Sequence, residues 1–199
     1  MPFNLPILLT WLRIVAIPLL IGVYYLPAEW VSDYERNLFA TVLFVAAAIT
    51  DWADGYLARK LNQTSAFGAF LDPVADKLMV AAALIVLVQL DRTDSIVAGI
   101  IIGREITISA LREWMASIGA RKSVAVSMLG KIKTTAQMIA IPMLLYHAPL
   151  AGVDIQRLGT WLIWIAAVLT LWSMVYSLRR AWPEIARRAG DSPGQTKSR

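Results

Sequence analysis

The sequence predicts an all-α integral membrane protein with six transmembrane helices and both termini in the cytoplasm. Three observations predict it. Apolar residues make up 58% of the 199-residue chain and the mean hydropathy is +0.59, against about 45–50% apolar in a soluble domain. The chain divides into six apolar stretches joined by short polar links. Lysine and arginine are spread unevenly over those links, and that asymmetry sets orientation in a bilayer.

A span needs roughly 20 mostly apolar residues. The first runs from about Leu5 to Leu26 and the second from about Asn37 to Leu61. The third covers about Phe70 to Leu90 and the fourth about Ser95 to Met115. The fifth, Thr134 to Tyr146, is short as drawn; it extends back to near Ser127 and takes Lys131 and Lys133 into its first turns. The sixth covers about Leu158 to Leu178. Pro18 and Pro142 fall inside spans, where membrane helices tolerate them. The links after spans one, three and five carry only Arg36, Arg92 and Arg157, whereas Arg59, Lys60, Arg121, Lys122, Arg179, Arg180, Arg187 and Arg188 lie toward the other side. That other side is therefore the cytoplasm. Residues 1–182 form the membrane domain. Residues 183–199 form a polar, basic cytoplasmic tail: a short surface helix after Pro183, then a disordered end.

Composition narrows the function. Cysteine is absent, which removes disulfides and thiolate metal sites. The one histidine, His147, sits among few polar neighbours and reads as a solvated loop residue. The net charge of +5 flanks apolar runs, so anionic headgroups and phosphate-bearing substrates fit it better than nucleic acid. The first apolar run is long enough to span and lacks a basic start and a small-residue cleavage site, unlike a cleavable leader. Of the eight tryptophans, Trp30, Trp114, Trp161 and Trp182 suit an interfacial belt, and Trp52 suits packing.

Ionisable residues inside spans are expensive and raise a functional hypothesis by default. Asp51 and Asp54 are three apart near the end of span two; Asp72 and Asp76 are four apart at the start of span three. Each pair shares a helix face. The short link between the spans makes them antiparallel neighbours, so the four carboxylates converge just inside the cytoplasmic leaflet. Together they carry a charge of about −4 at low dielectric, which two divalent cations would cancel. Ligands that are all hard oxygens favour Mg2+ or Mn2+ over zinc. Such a two-metal carboxylate site suits displacement at phosphorus. Gly55, Ala58 and Gly68 let a bulky ligand approach the backbone, and Arg59 can clamp a phosphate. An ion-pair network that merely holds helices is too unbalanced to explain four acids beside Arg59 and Lys77.

The string Asp51-x2-Asp54-Gly55-x2-Ala58-Arg59-x8-Gly68-x3-Asp72-x3-Asp76 resembles the signature of the CDP-alcohol phosphatidyltransferase family, with all eight fixed positions present. Six spans agree with that family. The resemblance implies that Asp51, Asp54 and Asp72 are metal ligands, and that Asp76 is both a ligand and the general base. Asp54, Gly55, Ala58 and Gly68 would receive the cytidine nucleotide and Arg59 the diphosphate. The likeness continues through Phe67 to Lys77, Arg104-Glu105, Ser109 to Trp114 and Gly130 to Gln137. These stretches resemble the bacterial branch of the family that moves a phosphatidyl group from CDP-diacylglycerol to sn-glycerol 3-phosphate, releasing CMP. A homodimer in the inner membrane, with its site facing the cytoplasm, is implied with it.

The acceptor's phosphate needs cations. Arg104, Lys131 and Lys133 are the candidates near the cytoplasmic leaflet, with Arg112 a weaker one and Glu105 a structural partner of Arg104. Thr10 and Arg13 edge the acceptor pocket or pack helices. Arg121, Lys122 and the tail arginines read as topology signals. Within the family the competing acceptors are inositol phosphate, serine and phosphatidylglycerol. A cation transporter is a different class; it is disfavoured because the acids cluster at one end with no charged path across.

Overall fold

A computed structural model describes residues 5–61, 66–119 and 128–190; within them, the side chains of 5–7, 52–61, 66, 67, 69, 128–131 and 188–190 are outside the description. Among the described residues six helices follow one another: α1 (Leu5–Gly22), α2 (Asp33–Leu61), α3 (Ala66–Gln89), α4 (Ser95–Ser117), α5 (Met128–Tyr146) and α6 (Ile155–Gly190). A 3-10 turn, Val23–Tyr25, extends α1. Among the described residues the chain has no strand beyond an isolated bridge between Leu150 and Val153.

The turns that open α2, α4 and α6 carry strong start signals. Ser32 and Glu35 form a reciprocal capping box: the Ser32 amide and hydroxyl donate to Glu35 Oε2 at 2.8 and 2.7 Å, and the Glu35 amide donates to Ser32 Oγ at 3.3 Å. Asp94 Oδ1 accepts from the Ile96 amide at 2.7 Å, and Asp154 Oδ1 from the Arg157 amide at 3.1 Å. α3 stops in a Schellman motif, with Asp91 at φ 54°. The Arg92 amide returns to the Leu87 carbonyl at 2.9 Å and the Asp91 amide to Val88 at 3.1 Å.

α1 packs against both α2 and α3, which touch each other far less; α5 packs mainly on α6 and α2, and α4 on α6. The inner faces hold Leu20, Phe44, Leu84, Leu87, Ile101, Ile141, Leu144 and Ile163 in one core. Alanines recur among them: Ala40, Ala47, Ala75, Ala83, Ala98, Ala140 and Ala166 are all buried. Where lipid removes the hydrophobic drive between helices, such small residues let backbones approach and gain van der Waals contact. Gly159 does the same locally, since a Cβ there would stand 3.1 Å from Leu144 Cγ.

The outer faces are apolar too. Leu8, Trp11, Leu12, Val15 and Leu19 run down one side of α1; Trp161, Trp164, Ile165, Val168, Trp172, Val175 and Tyr176 run down α6. Apolar stripes this long mark a surface that meets a membrane or another protein. By length and composition, Leu8–Tyr25 and Ile155–Arg187 are long and apolar enough to cross a membrane. α3 and α4 carry the charges of the candidate site itself, Asp72, Asp76 and Lys77 in one and Arg104, Glu105 and Arg112 in the other.

α2 and α3 touch, as the four-aspartate picture expects, and α1 packs more widely on both. One expectation changes. The surface helix after Pro183 is not separate: α6 continues through Pro183 to Gly190. Buried Ala181, packed with Met115, Leu111, Ile118 and Ile185, holds this end of α6 to the end of α4. That packing outweighs the hydrogen bond lost at proline.

Candidate active site

The site begins with α1. Thr10 and Arg13 are three apart on its buried face. Arg13 Nη1 lies 2.8 Å from Asp51 Oδ1 on α2, and Thr10 Oγ1 donates to Asp72 Oδ1 on α3. One helix thus orients a carboxylate on each of two others. On α3, Asp72, Ala75, Asp76 and Met79 follow a spacing of three and four; Ala75 and Met79 are buried. The two acids therefore emerge from the packed face. Asp51 lies close enough to Asp72 and Asp76 for their like charges to act on one another.

Beneath them Arg13 and Asp76 line a void of about 10 Å³, roughly the room one water needs. Phe44, Ala47, Met79, Val80 and Met138 close its apolar floor.

A second charged cluster joins α4, α5 and α6. Arg104 Nη1 and Lys133 Nζ both donate to Glu105 Oε1, at 2.7 and 2.5 Å. Arg104 Nη2 donates to Ser173 Oγ at 3.0 Å. One turn along, Gln137 Nε2 donates to Thr170 Oγ1 at 3.3 Å. Arg104, Lys133, Gln137, Thr170 and Ser173 are all buried. Two cations share one carboxylate, so the cluster keeps a charge of about +1, which suits an anionic ligand. A cavity lined by Lys77 of α3 and Glu105 of α4 reaches from this cluster toward the aspartate helix.

The structure thus brings Asp51, Asp72 and Asp76 together with Thr10 and Arg13, and joins Arg104 to Lys133 through Glu105. Gly68 is buried. Arg112 is exposed. Asp54, Gly55, Ala58 and Arg59 lie on α2 and Lys131 on α5, but their side chains are outside the described residues. Sequence reasoning missed Ser173 and Thr170. The only hint of Ser173 was the need of Arg104 for buried partners; nothing local in α6 marks the contact.

Among the described residues, no three His, Cys, Asp or Glu side chains form a group that could hold a metal. The donors that are described still fit a hard divalent ion: they are carboxylate oxygens, on facing helices, within reach of one another's charge.

Three proteins called CDP-diacylglycerol–glycerol-3-phosphate 3-phosphatidyltransferase, from Salmonella choleraesuis (strain SC-B67), Shigella flexneri serotype 5b (strain 8401) and Escherichia coli (strain K12), are each 49% identical to this chain over 183 residues. Those residues are 91% of this chain and 96% of each relative. The family model for CDP-alcohol phosphatidyltransferase matches residues 3–172, which include both charged clusters apart from Ser173, and the chain belongs to that family.

Proposed function

We propose that this chain transfers the phosphatidyl group of CDP-diacylglycerol to sn-glycerol 3-phosphate, giving phosphatidylglycerol phosphate and CMP, from the cytoplasmic face of a bacterial inner membrane. The observation that carries the reading is the presence of two charged clusters: half-buried Asp51, Asp72 and Asp76, with Arg13 on Asp51, and buried Arg104 and Lys133 on Glu105. The names of the relatives over nearly their whole length support the same donor and acceptor.

In this reading Asp76 takes the proton of the acceptor's primary hydroxyl. The freed oxygen forms a bond to the lipid-side phosphorus as the bond to CMP breaks. The proton leaves Asp76 to water, and the phosphatidyl group ends on the acceptor. Asp51, Asp54, Asp72 and Asp76 would hold two Mg2+ or Mn2+ ions, which would offset charge on the diphosphate oxygens. Arg13 and Thr10 keep Asp51 and Asp72 in place, so the acids are ordered before substrate arrives. Gly55, Ala58 and Gly68 give the nucleotide room and Arg59 receives its diphosphate. Arg104, Lys131 and Lys133 take the acceptor's phosphate.

All six helices span the bilayer with both termini in the cytoplasm, and two copies pair. The apolar outer stripes and the Lys/Arg asymmetry support this topology. Because the chain has no cysteine, single cysteines report sidedness cleanly. Glu29→Cys should label from outside intact cells and Ser198→Cys only after lysis; the reverse pattern would invert the orientation. For the activity, purified protein receives CDP-diacylglycerol and magnesium with glycerol 3-phosphate, serine, inositol or inositol phosphate. CMP release with glycerol 3-phosphate alone is expected. Release only with another acceptor would overturn the specificity.

A further inference from the structure

We propose that Glu105 is an internal stand-in for the acceptor's phosphate: it holds Arg104 and Lys133 together in the resting protein and gives them up when the acceptor binds. The inference rests on the acceptor reading above and adds a positioning residue to it.

Both cations point at one atom. Glu105 Oε1 lies 2.7 Å from Arg104 Nη1 and 2.5 Å from Lys133 Nζ. A single anionic oxygen held by a guanidinium and an ammonium is how a phosphate oxygen is bound. The cations come from different helices, α4 and α5. Without an anion between them their like charges would push those helices apart at low dielectric.

Three features make the carboxylate the replaceable member. Its side chain is 25% exposed, whereas those of Arg104 and Lys133 are 5% and 2% exposed. An incoming anion meets Glu105 first, with the cations behind it. Arg104 is anchored independently, because Nη2 donates to Ser173, so it stays in place when Nη1 changes partner. Arg104 Nε is buried and has no acceptor among the described residues, a donor that a ligand with several oxygens satisfies and one carboxylate oxygen does not.

The displaced carboxylate has somewhere to go. A cavity of about 90 Å³ is lined by Glu105 and by Lys77, with Leu78, Ala81, Ile101 and Ile102. Turning into it, Glu105 exchanges two cations for one. Lys77 follows Asp76 in α3, so the acceptor's arrival would be felt beside the proposed base.

Glu105→Gln tests this with little change in shape. Glutamine keeps an oxygen that both cations can reach but removes the competing charge. The prediction is a KM for glycerol 3-phosphate on the order of 3- to 10-fold lower, since a neutral amide competes less well than a carboxylate for the two cations. Inhibition by inorganic phosphate should strengthen by a similar factor, and the KM for CDP-diacylglycerol should not move. A raised or unchanged acceptor KM, with phosphate inhibition unchanged, would assign Glu105 a merely structural role. Should glutamine impair folding, Glu105→Asp keeps the charge one methylene short of the cations; it too should lower the acceptor KM, by less. Parent protein that releases no CMP with glycerol 3-phosphate would defeat the functional reading itself, a result separable from either variant's.

Discussion

Where α3 turns into α4, Arg92 Nη1 donates to the carbonyls of Leu145 at 2.8 Å and Leu144 at 3.3 Å, while Nη2 donates to Asn37 Oδ1 at 2.9 Å. Tyr24 adds a hydroxyl to the same Asn37 oxygen at 3.2 Å. At the opposite end, Arg13 meets Asp51, and Arg104 and Lys133 meet Glu105. Each end draws several helices together with cations, half-buried Arg92 at the first and buried Arg13, Arg104 and Lys133 at the second. The first end answers its cation with neutral amide and backbone oxygens, including the last carbonyls of α5, where the helix dipole is negative. The second answers cations with carboxylates. A backbone carbonyl cannot leave its helix; a carboxylate side chain can rotate away or change partner. The first arrangement serves to fasten, the second to exchange.

The largest effect should come from the second end. Asp76→Asn preserves the size of the side chain and removes its basicity. Turnover should fall by roughly 10²–10⁴-fold, the usual worth of a positioned general base. CMP release and the thermal midpoint in detergent are measured on the same preparation. Loss of both together would mean that Asp76 is a fastening residue, and the contrast between the two ends would collapse.

Arg92→Met makes the converse change. It removes three hydrogen bonds from a charged donor and leaves Asn37 with Tyr24 alone. The cost should be about 2–4 kcal/mol of stability, read as a lower thermal midpoint. Turnover well below that midpoint should stay near the parent's. Ser173→Ala falls between the two classes. It removes the neutral anchor of Arg104 at about 1 kcal/mol, and it should raise the acceptor KM on the order of threefold while leaving the KM for CDP-diacylglycerol unchanged. An equal rise for both substrates would show that Ser173 supports the bundle generally.

The two ends also differ in how far the sequence disclosed them. The aspartates were legible because unpaired acids in apolar stretches are costly and sit at helical spacing. Arg104 and Lys133 stood out as cations in spans. Glu105 was legible as the partner of Arg104 beside it, but its sharing with Lys133 was not, since Lys133 and Glu105 are 28 residues apart. The role of α1 as the helix between α2 and α3 was hidden for the same reason: Thr10 and Asp72 are 62 residues apart. Reading α2 and α3 as neighbours followed from their short link, and the two helices do touch, though less than each touches α1. The unbroken run of α6 through Pro183 depended on Ala181 reaching Met115, which no local pattern reports. The fastening end was the least legible. Arg92 looks like an ordinary loop arginine, and only the fold brings Asn37 and the end of α5 to it.

The smallest expected effect is at the fastening end, where the one carboxylate of the α2 capping box also has neutral partners. Hydrogen bonds from Ser32 hold the Glu35 carboxyl below its usual pKa range. The folded value is thus depressed relative to the unfolded chain. Its contribution is present above the ordinary glutamate value and is lost as the pH falls through the folded one. Ser32→Ala removes the hydroxyl, and only part of the box survives through the residue 32 amide. The thermal midpoint of the variant should lie slightly below the parent's at about pH 7, and the gap should narrow as the pH falls below the ordinary glutamate value. Turnover at neutral pH should not change. A gap that stays constant over that range would show that the Ser32 hydroxyl acts on the helix backbone alone. A change in acceptor KM would show that the two ends are coupled through α2, which carries Glu35 near one terminus and Asp51 toward the other.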